Sequence, residues 1–129
     1  MKMIVALCLI FWSRVALGST KQVSVELVDG PNKHSGRVEI IIGNRRGTVC
    51  DDSWDDKDAS VICRLLGHGG GKAMIKAYFG QGSSSILLDD VQCDGNETSI
   101  LSCRHSGVGV HDCVHNEDAG VICSPICGE

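Results

Sequence analysis

Cysteine placement constrains this chain more than any other feature. Seven of its eight cysteines lie at Cys50, Cys63, Cys93, Cys103, Cys113, Cys123 and Cys127, in a chain with only two Trp, one Tyr and two Phe. Such a density beside so few aromatic residues means that cross-links supplement a modest hydrophobic core, which requires an oxidising compartment. A thiolate zinc site is disfavoured because no CxxC pair occurs. Counting alone leaves the connectivity open.

The amino terminus points to the same compartment. Lys2 precedes an apolar run from Met3 to Trp12, and Ala16-Leu17-Gly18 offers small residues where a signal peptidase cuts. Residues 1–18 are therefore expected to be a signal peptide, taking Cys8 with them. The run is too short for a bilayer span of about 20 residues, and Arg14 closes it. No later stretch is apolar enough to cross a membrane, so the expected product is secreted and extracellular. The formal net charge is −4, and the leader removes Lys2 and Arg14 but no acid. That balance argues against nucleic acid as a dedicated partner and favours cations or basic partner surfaces.

Along the chain, Ser24 to Asp29 alternates as a half-buried strand and stops at Gly30-Pro31. Arg37 to Ile42 and Arg45 to Cys50 flank Gly43-Asn44, which predicts a hairpin. After Trp54 the period becomes helical. Asp55 is the expected cap, Asp56 and Asp58 face the helix dipole, and Ala59, Ile62, Cys63 and Leu66 share one face before Gly67. Met74 to Phe79, Ser85 to Val91 and Gly120 to Cys123 are further strand candidates. Cys93 and Cys103 bracket a loop carrying Asn96-Glu97-Thr98, a glycosylation acceptor pattern.

Catalytic signatures are missing from the sequence. There is no GxSxG, no HExxH and no phosphate-cradling glycine loop. His105, His111 and His115 lie near acids, but no serine or cysteine is placed as a nucleophile beside them, and a non-enzymatic binding module is expected.

Seven words of the sequence, VELVDG (25–30), GRVE (36–39), GTVCDDSW (47–54), VICRLLG (61–67), LLDDVQC (87–93), LSC (101–103) and HNEDAGVIC (115–123), occur in a telling order and spacing. In this the chain resembles the scavenger receptor cysteine-rich (SRCR) family, six-cysteine type. The resemblance implies a short segment over 19–24, one domain over 25–123 and a tail over 124–129 that carries the extra Cys127. It also implies a compact, disulfide-stapled α+β fold in which a curved antiparallel sheet cradles one main helix. The pairing it implies is Cys50 with Cys113, Cys63 with Cys123, and Cys93 with Cys103. Two positions that many members fill with a fourth bridge are His34 and His68 here. They are expected either as exposed polar residues or as a transition-metal or pH-sensitive pair. Cys127 has no partner in that pairing, and is expected to link two chains as a disulfide-bonded homodimer or to be capped by a small thiol.

Function is expected in the carboxylates. With Cys50 bridged to Cys113, Asp51, Asp52 and Glu117 converge, and hard oxygen ligands of this kind suit Ca²⁺ or Mg²⁺. By resemblance this trio matches a cation site of several SRCR domains. A second cluster is expected from Asp89, Asp90 and Asp112. Arg37, Arg45 and Arg46 lie in a segment similar to one linked with bacterial binding in some relatives, and are the candidate ligand-binding cations. The implied function is cation-dependent recognition of polyanions or microbial surface glycans. The alternative is a module for a dedicated extracellular protein partner.

Overall fold

The computed structural model describes residues 22–125. The expected leader, Cys8 and the end of the tail with Cys127 lie outside the described residues. Six strands and one α-helix follow in the order β1 (Val23–Val28), β2 (Ser35–Ile42), β3 (Arg45–Val49), α1 (Asp56–Leu65), β4 (Gly71–Met74), β5 (Ser85–Leu88) and β6 (Gly120–Cys123). β2 is the hub. β1 pairs with it antiparallel from Val23 opposite Ile42 to Val28 opposite Arg37. β3 takes Glu39 to Ile42, and β6 takes Ser35 to Arg37. β4 extends the sheet beyond β6, while β5 joins β3 in the one parallel pairing. The result is a curled, mostly antiparallel half-barrel with α1 packed on β4 and β6.

The predicted hairpin forms because Gly43 adopts φ 63°, a conformation that costs glycine nothing. Val38, Ile40 and Ile42 point inward from β2 and are almost wholly buried, together with Val49, Trp54, Ile62, Leu87, Leu88, Val91, Ile100 and Val121. Trp54 fills the core at the end of the DDSW turn, and its indole N–H donates to the Gly120 carbonyl at 3.0 Å.

Helix α1 starts as the sequence predicts. Asp55 accepts from the Lys57 and Asp58 amides, and Asp58 returns a bond to the Asp55 amide, forming a capping box. Ala59, Ile62 and Cys63 are buried as their spacing predicts, and Val61 joins them. Asp58 does more than cap: its carboxylate is fully buried and also accepts from the Cys93 amide at 2.7 Å. It ties the helix start to the loop closed by Cys93 and Cys103. Replacing Asp58 with alanine leaves the buried Cys93 amide and the partly buried Asp55 amide without acceptors, and is expected to cost about 2–4 kcal/mol in urea denaturation.

Burial pushes the Asp58 carboxyl up to about 6, against the opposing pull of the two amides. A raised acid is protonated in the folded chain while still ionised in the unfolded one, so its stabilising contribution is fully present below the ordinary value of 3.8 and is lost as pH rises through about 6. Asp58→Asn is expected to flatten the pH dependence of the denaturation midpoint across that window. A profile as steep as that of the native chain would assign the slope to other groups.

Two strand predictions need correction. The fourth strand is Gly71–Met74 instead of 74–79, because Lys76 and Ala77 turn left-handed with φ 57° and 51°. Their amides are taken by the Asp51 carboxylate at 2.7 Å and the Asp118 carbonyl at 3.0 Å, acceptors that no local pattern reveals. β4 opens on Gly71, a position that must be glycine because a Cβ there would stand 2.5 Å from Cys63 Sγ. The fifth strand ends at Leu88 and not at Val91, since the Asp89 carboxylate caps the Asp90 amide and Asp90 takes φ 54°.

Among the described residues, three disulfides join Cys50 to Cys113, Cys63 to Cys123 and Cys93 to Cys103, the pairing the family resemblance implies. The first ties β3 to the segment before β6. The second ties α1 to β6, and the third closes a surface loop.

Candidate functional site: a carboxylate patch around a disulfide

The DDSW turn presents the acids. Cys50 continues β3 into an isolated bridge with Asp118, the Asp51 amide donates to the Glu117 carbonyl at 2.8 Å, and Ser53 turns left-handed at φ 68°. Buried Trp54 pulls the end of the turn into the core, so Asp51 and Asp52 stay at the surface, half-buried. From the other side, the Cys50–Cys113 bridge holds the short 3-10 helix His115–Glu117 against the turn. Asp51, Asp52 and Glu117 thereby each offer a carboxylate oxygen, together with a Cys50 sulfur, within 4.8 Å of one another. The sulfur is committed to its disulfide, which leaves three oxygens.

The acids expected as a second cluster are arranged differently. Asp89 is 2 % exposed at the end of β5, and its carboxylate accepts from the amides of Asp90 and Asp112. Asp52 brings a carboxylate oxygen within 4.8 Å of it. Asp90 turns away, accepting from the hydroxyls of Ser53 and Ser106 at 3.3 and 3.5 Å. Asp52 is thus the centre of one continuous patch, with Asp51 and Glu117 on one side and Asp89 and Asp112 on the other. Its carboxyl is pushed up, first by desolvation and then by the negative charges of Asp89, Glu117, Asp112 and Asp51. Asp89 is raised as well, chiefly by burial. Four like charges around one carboxylate are what a bound cation relieves, so the donor set fits a hard, oxygen-preferring ion.

The arginines divide. Arg37, expected on the ligand-facing surface, is 5 % exposed, and its guanidinium pairs with Glu39 and Asp29 at 3.0 Å each and donates to the Gly80 carbonyl. Arg46 pairs with Glu39 at 2.9 Å and with Glu26, completing an ion ladder across β1, β2 and β3. β2 alternates charged and apolar residues, and the ladder occupies the face opposite the core. Arg45 remains exposed with no ion pair among the described residues, and its guanidinium lies over Gly109.

Sequence reading missed Lys76 and Asn116, which line an open depression with Asp51 and Glu117. Large apolar side chains are exposed on the same segments: Ile75 and Tyr78, 46 % and 64 % exposed, in the turn that carries Lys76, and Val114, 61 % exposed, whose amide donates to the Glu117 carboxylate. Nothing local marks these residues, because they reach the site only through the turn after β4 and the segment tied by Cys113.

The other sequence candidates are placed simply. Asn96 is exposed on its loop, which Arg64 clamps by donating to the carbonyls of Gly95 and Glu97. His115 is held at both ring nitrogens, by Asp118 at 2.9 Å and by the Ser84 carbonyl at 2.6 Å. Among the described residues, no helix is long and apolar enough to cross a membrane.

The family model described as the scavenger receptor cysteine-rich domain matches residues 28–124. The third SRCR domain of murine neurotrypsin is similar at 48 % identity and a TM-score of 0.74, with 81 % of this chain and 99 % of that one covered. The dimeric form of the SRCR domain of mouse MARCO is similar at 42 % identity and a TM-score of 0.66, with 85 % and 94 % covered.

Proposed function

Because the chain belongs to the scavenger receptor cysteine-rich family, we propose that it is a secreted recognition protein that binds polyanionic or microbial-surface ligands through a cation held by its carboxylate patch. The convergence of Asp51, Asp52 and Glu117 beside the Cys50–Cys113 bridge carries this reading. These residues would hold Ca²⁺ or Mg²⁺, whose remaining coordination positions accept sulfate, phosphate or carboxylate oxygens. Asp51 binds the Lys76 amide through one carboxylate oxygen, and Glu117 binds the Val114 amide through one of its own, so both are oriented while keeping an oxygen for the ion. Exposed Lys76 and Arg45 supply direct contacts to an anionic ligand, while Arg37 and Arg46 hold the sheet.

The second reading, a dedicated extracellular protein partner, is favoured by one observation. Ile75, Tyr78 and Val114 expose large apolar side chains on the segments that carry Lys76 and Glu117, the composition of an interface whose core excludes water. Immobilised sulfated polymer separates the two. Binding that disappears in chelator and returns with Ca²⁺ is expected, and binding indifferent to chelator would sink the cation mechanism. Tyr78→Ala is expected to leave polyanion binding within about twofold, since a flexible anionic chain gains little from one aromatic side chain. A loss of a hundredfold or more would show that the polymer is held mainly by apolar contact and overturn the electrostatic reading.

A further inference from the structure

His34 and His68 meet beside the carboxyl end of β6, with ring centroids 5.7 Å apart and planes at 80°. His34 immediately precedes β2, and His68 follows the end of α1. The other three histidines are engaged within the described structure. His105 and His111 each accept an amide at Nδ1, from Gly107 and Cys113, and His115 is bonded at both nitrogens. The ring nitrogens of His34 and His68 have no hydrogen-bond partner among the described residues, although the main chains of both residues are tightly held.

That restraint comes from one disulfide. The Cys123 amide donates to the His34 carbonyl at 2.8 Å, and the His68 amide donates to the Cys63 carbonyl at 2.9 Å. Cys63 and Cys123 are bonded to each other. Asn32 Oδ1 accepts from the His34 amide at 3.1 Å, and the Gly69 amide donates to the Ser124 carbonyl at 2.8 Å. The main chains of both residues are thus braced through one covalent cross-link.

Two imidazoles that bind one tetrahedral ion at metal–nitrogen distances of about 2.0–2.1 Å have ring centroids about 5.2 Å apart. The observed separation differs from that by about half an ångström, within the reach of side-chain rotation. We infer that His34 and His68 form a transition-metal site, selective for imidazole-preferring divalent ions such as Zn²⁺ and chemically distinct from the carboxylate patch. Neutral imidazoles are poor ligands for Ca²⁺ and Mg²⁺ and good ones for Zn²⁺, Cu²⁺ and Ni²⁺. His34 is exposed, so the remaining coordination positions open to solvent.

The test is a calorimetric Zn²⁺ titration of the full secreted chain in saturating Ca²⁺, which keeps zinc out of the carboxylates. The native chain is expected to bind one Zn²⁺ well below millimolar concentration. His34→Gln and His68→Gln are each expected to weaken it by more than about tenfold. Both rings lie outside the core, and an unchanged melting temperature in Ca²⁺ will show that the variants fold. Proton resonances of His34 and His68, and not those of His105, His111 and His115, should shift with zinc. Zinc affinity unchanged in either variant, or native binding no tighter than millimolar, would overturn the proposal.

Discussion

Replacing Asp52 with asparagine is expected to raise the melting temperature in chelator and to abolish the further rise that Ca²⁺ brings to the native chain. Both effects follow from the place of Asp52 at the centre of the patch. Desolvation and the charges of Asp89, Glu117, Asp112 and Asp51 all disfavour its ionised form, so removing its charge relieves the ion-free protein. In the proposed site the same charge would bind the cation most strongly, since its carboxylate belongs to both acidic groupings of converging ligand atoms beside Cys50. For the native chain, Ca²⁺ at a hundredfold excess over Kd should add about 2.7 kcal/mol, a shift of roughly ten degrees in a domain this small. Binding to sulfated polymer should fall with it. Thermal denaturation with and without Ca²⁺ reads both arms. If Asp52→Asn melts lower in chelator, the repulsion is not as described; if Ca²⁺ still stabilises it fully, the ion sits elsewhere.

The second large effect is structural. Removing the Cys63–Cys123 bridge by a double alanine substitution is expected to cost about 4 kcal/mol, because it releases a loop of 60 residues in the unfolded chain. Opening Cys93–Cys103, whose separation is 10 residues, is expected to cost about 3 kcal/mol by the same reasoning. Small domains have only about 5–15 kcal/mol of net stability, so the first loss is a large share of the total. Cys63 is fully buried, with Gly71 and Ala59 against it, and alanine there also leaves a small cavity. Urea denaturation of the double variant against the native chain measures the sum, and a cost below about 1 kcal/mol would show that packing alone holds α1 to β6.

Much of the fold was legible locally. The hairpin at Gly43-Asn44 and the Asp55 cap followed from backbone preferences that neighbouring residues impose on each other. The inward face of α1 followed from a 3.6-residue period. One error came from a cap between neighbours, Asp89 on the Asp90 amide, and the larger one came where a distant group supplied the hydrogen bond. Met74 to Phe79 has the composition of a strand, but the Lys76 and Ala77 amides find acceptors on Asp51 and Asp118 and the chain turns.

The site shows the same division more sharply. By itself the sequence determined that this chain is stapled by cysteines, that α1 begins at an acidic cap, and which carboxylates lie near one another along the chain. Only the tertiary structure decided that Asp52 joins two acidic groups into one patch, that Asp90 turns to serine hydroxyls, and that Arg37 is buried in an ion ladder while Arg45 has no ion pair among the described residues. Charge acts over a few ångströms of space whatever the distance along the chain. Which charges share that space was set by the Cys50–Cys113 bridge and by the curl of the sheet.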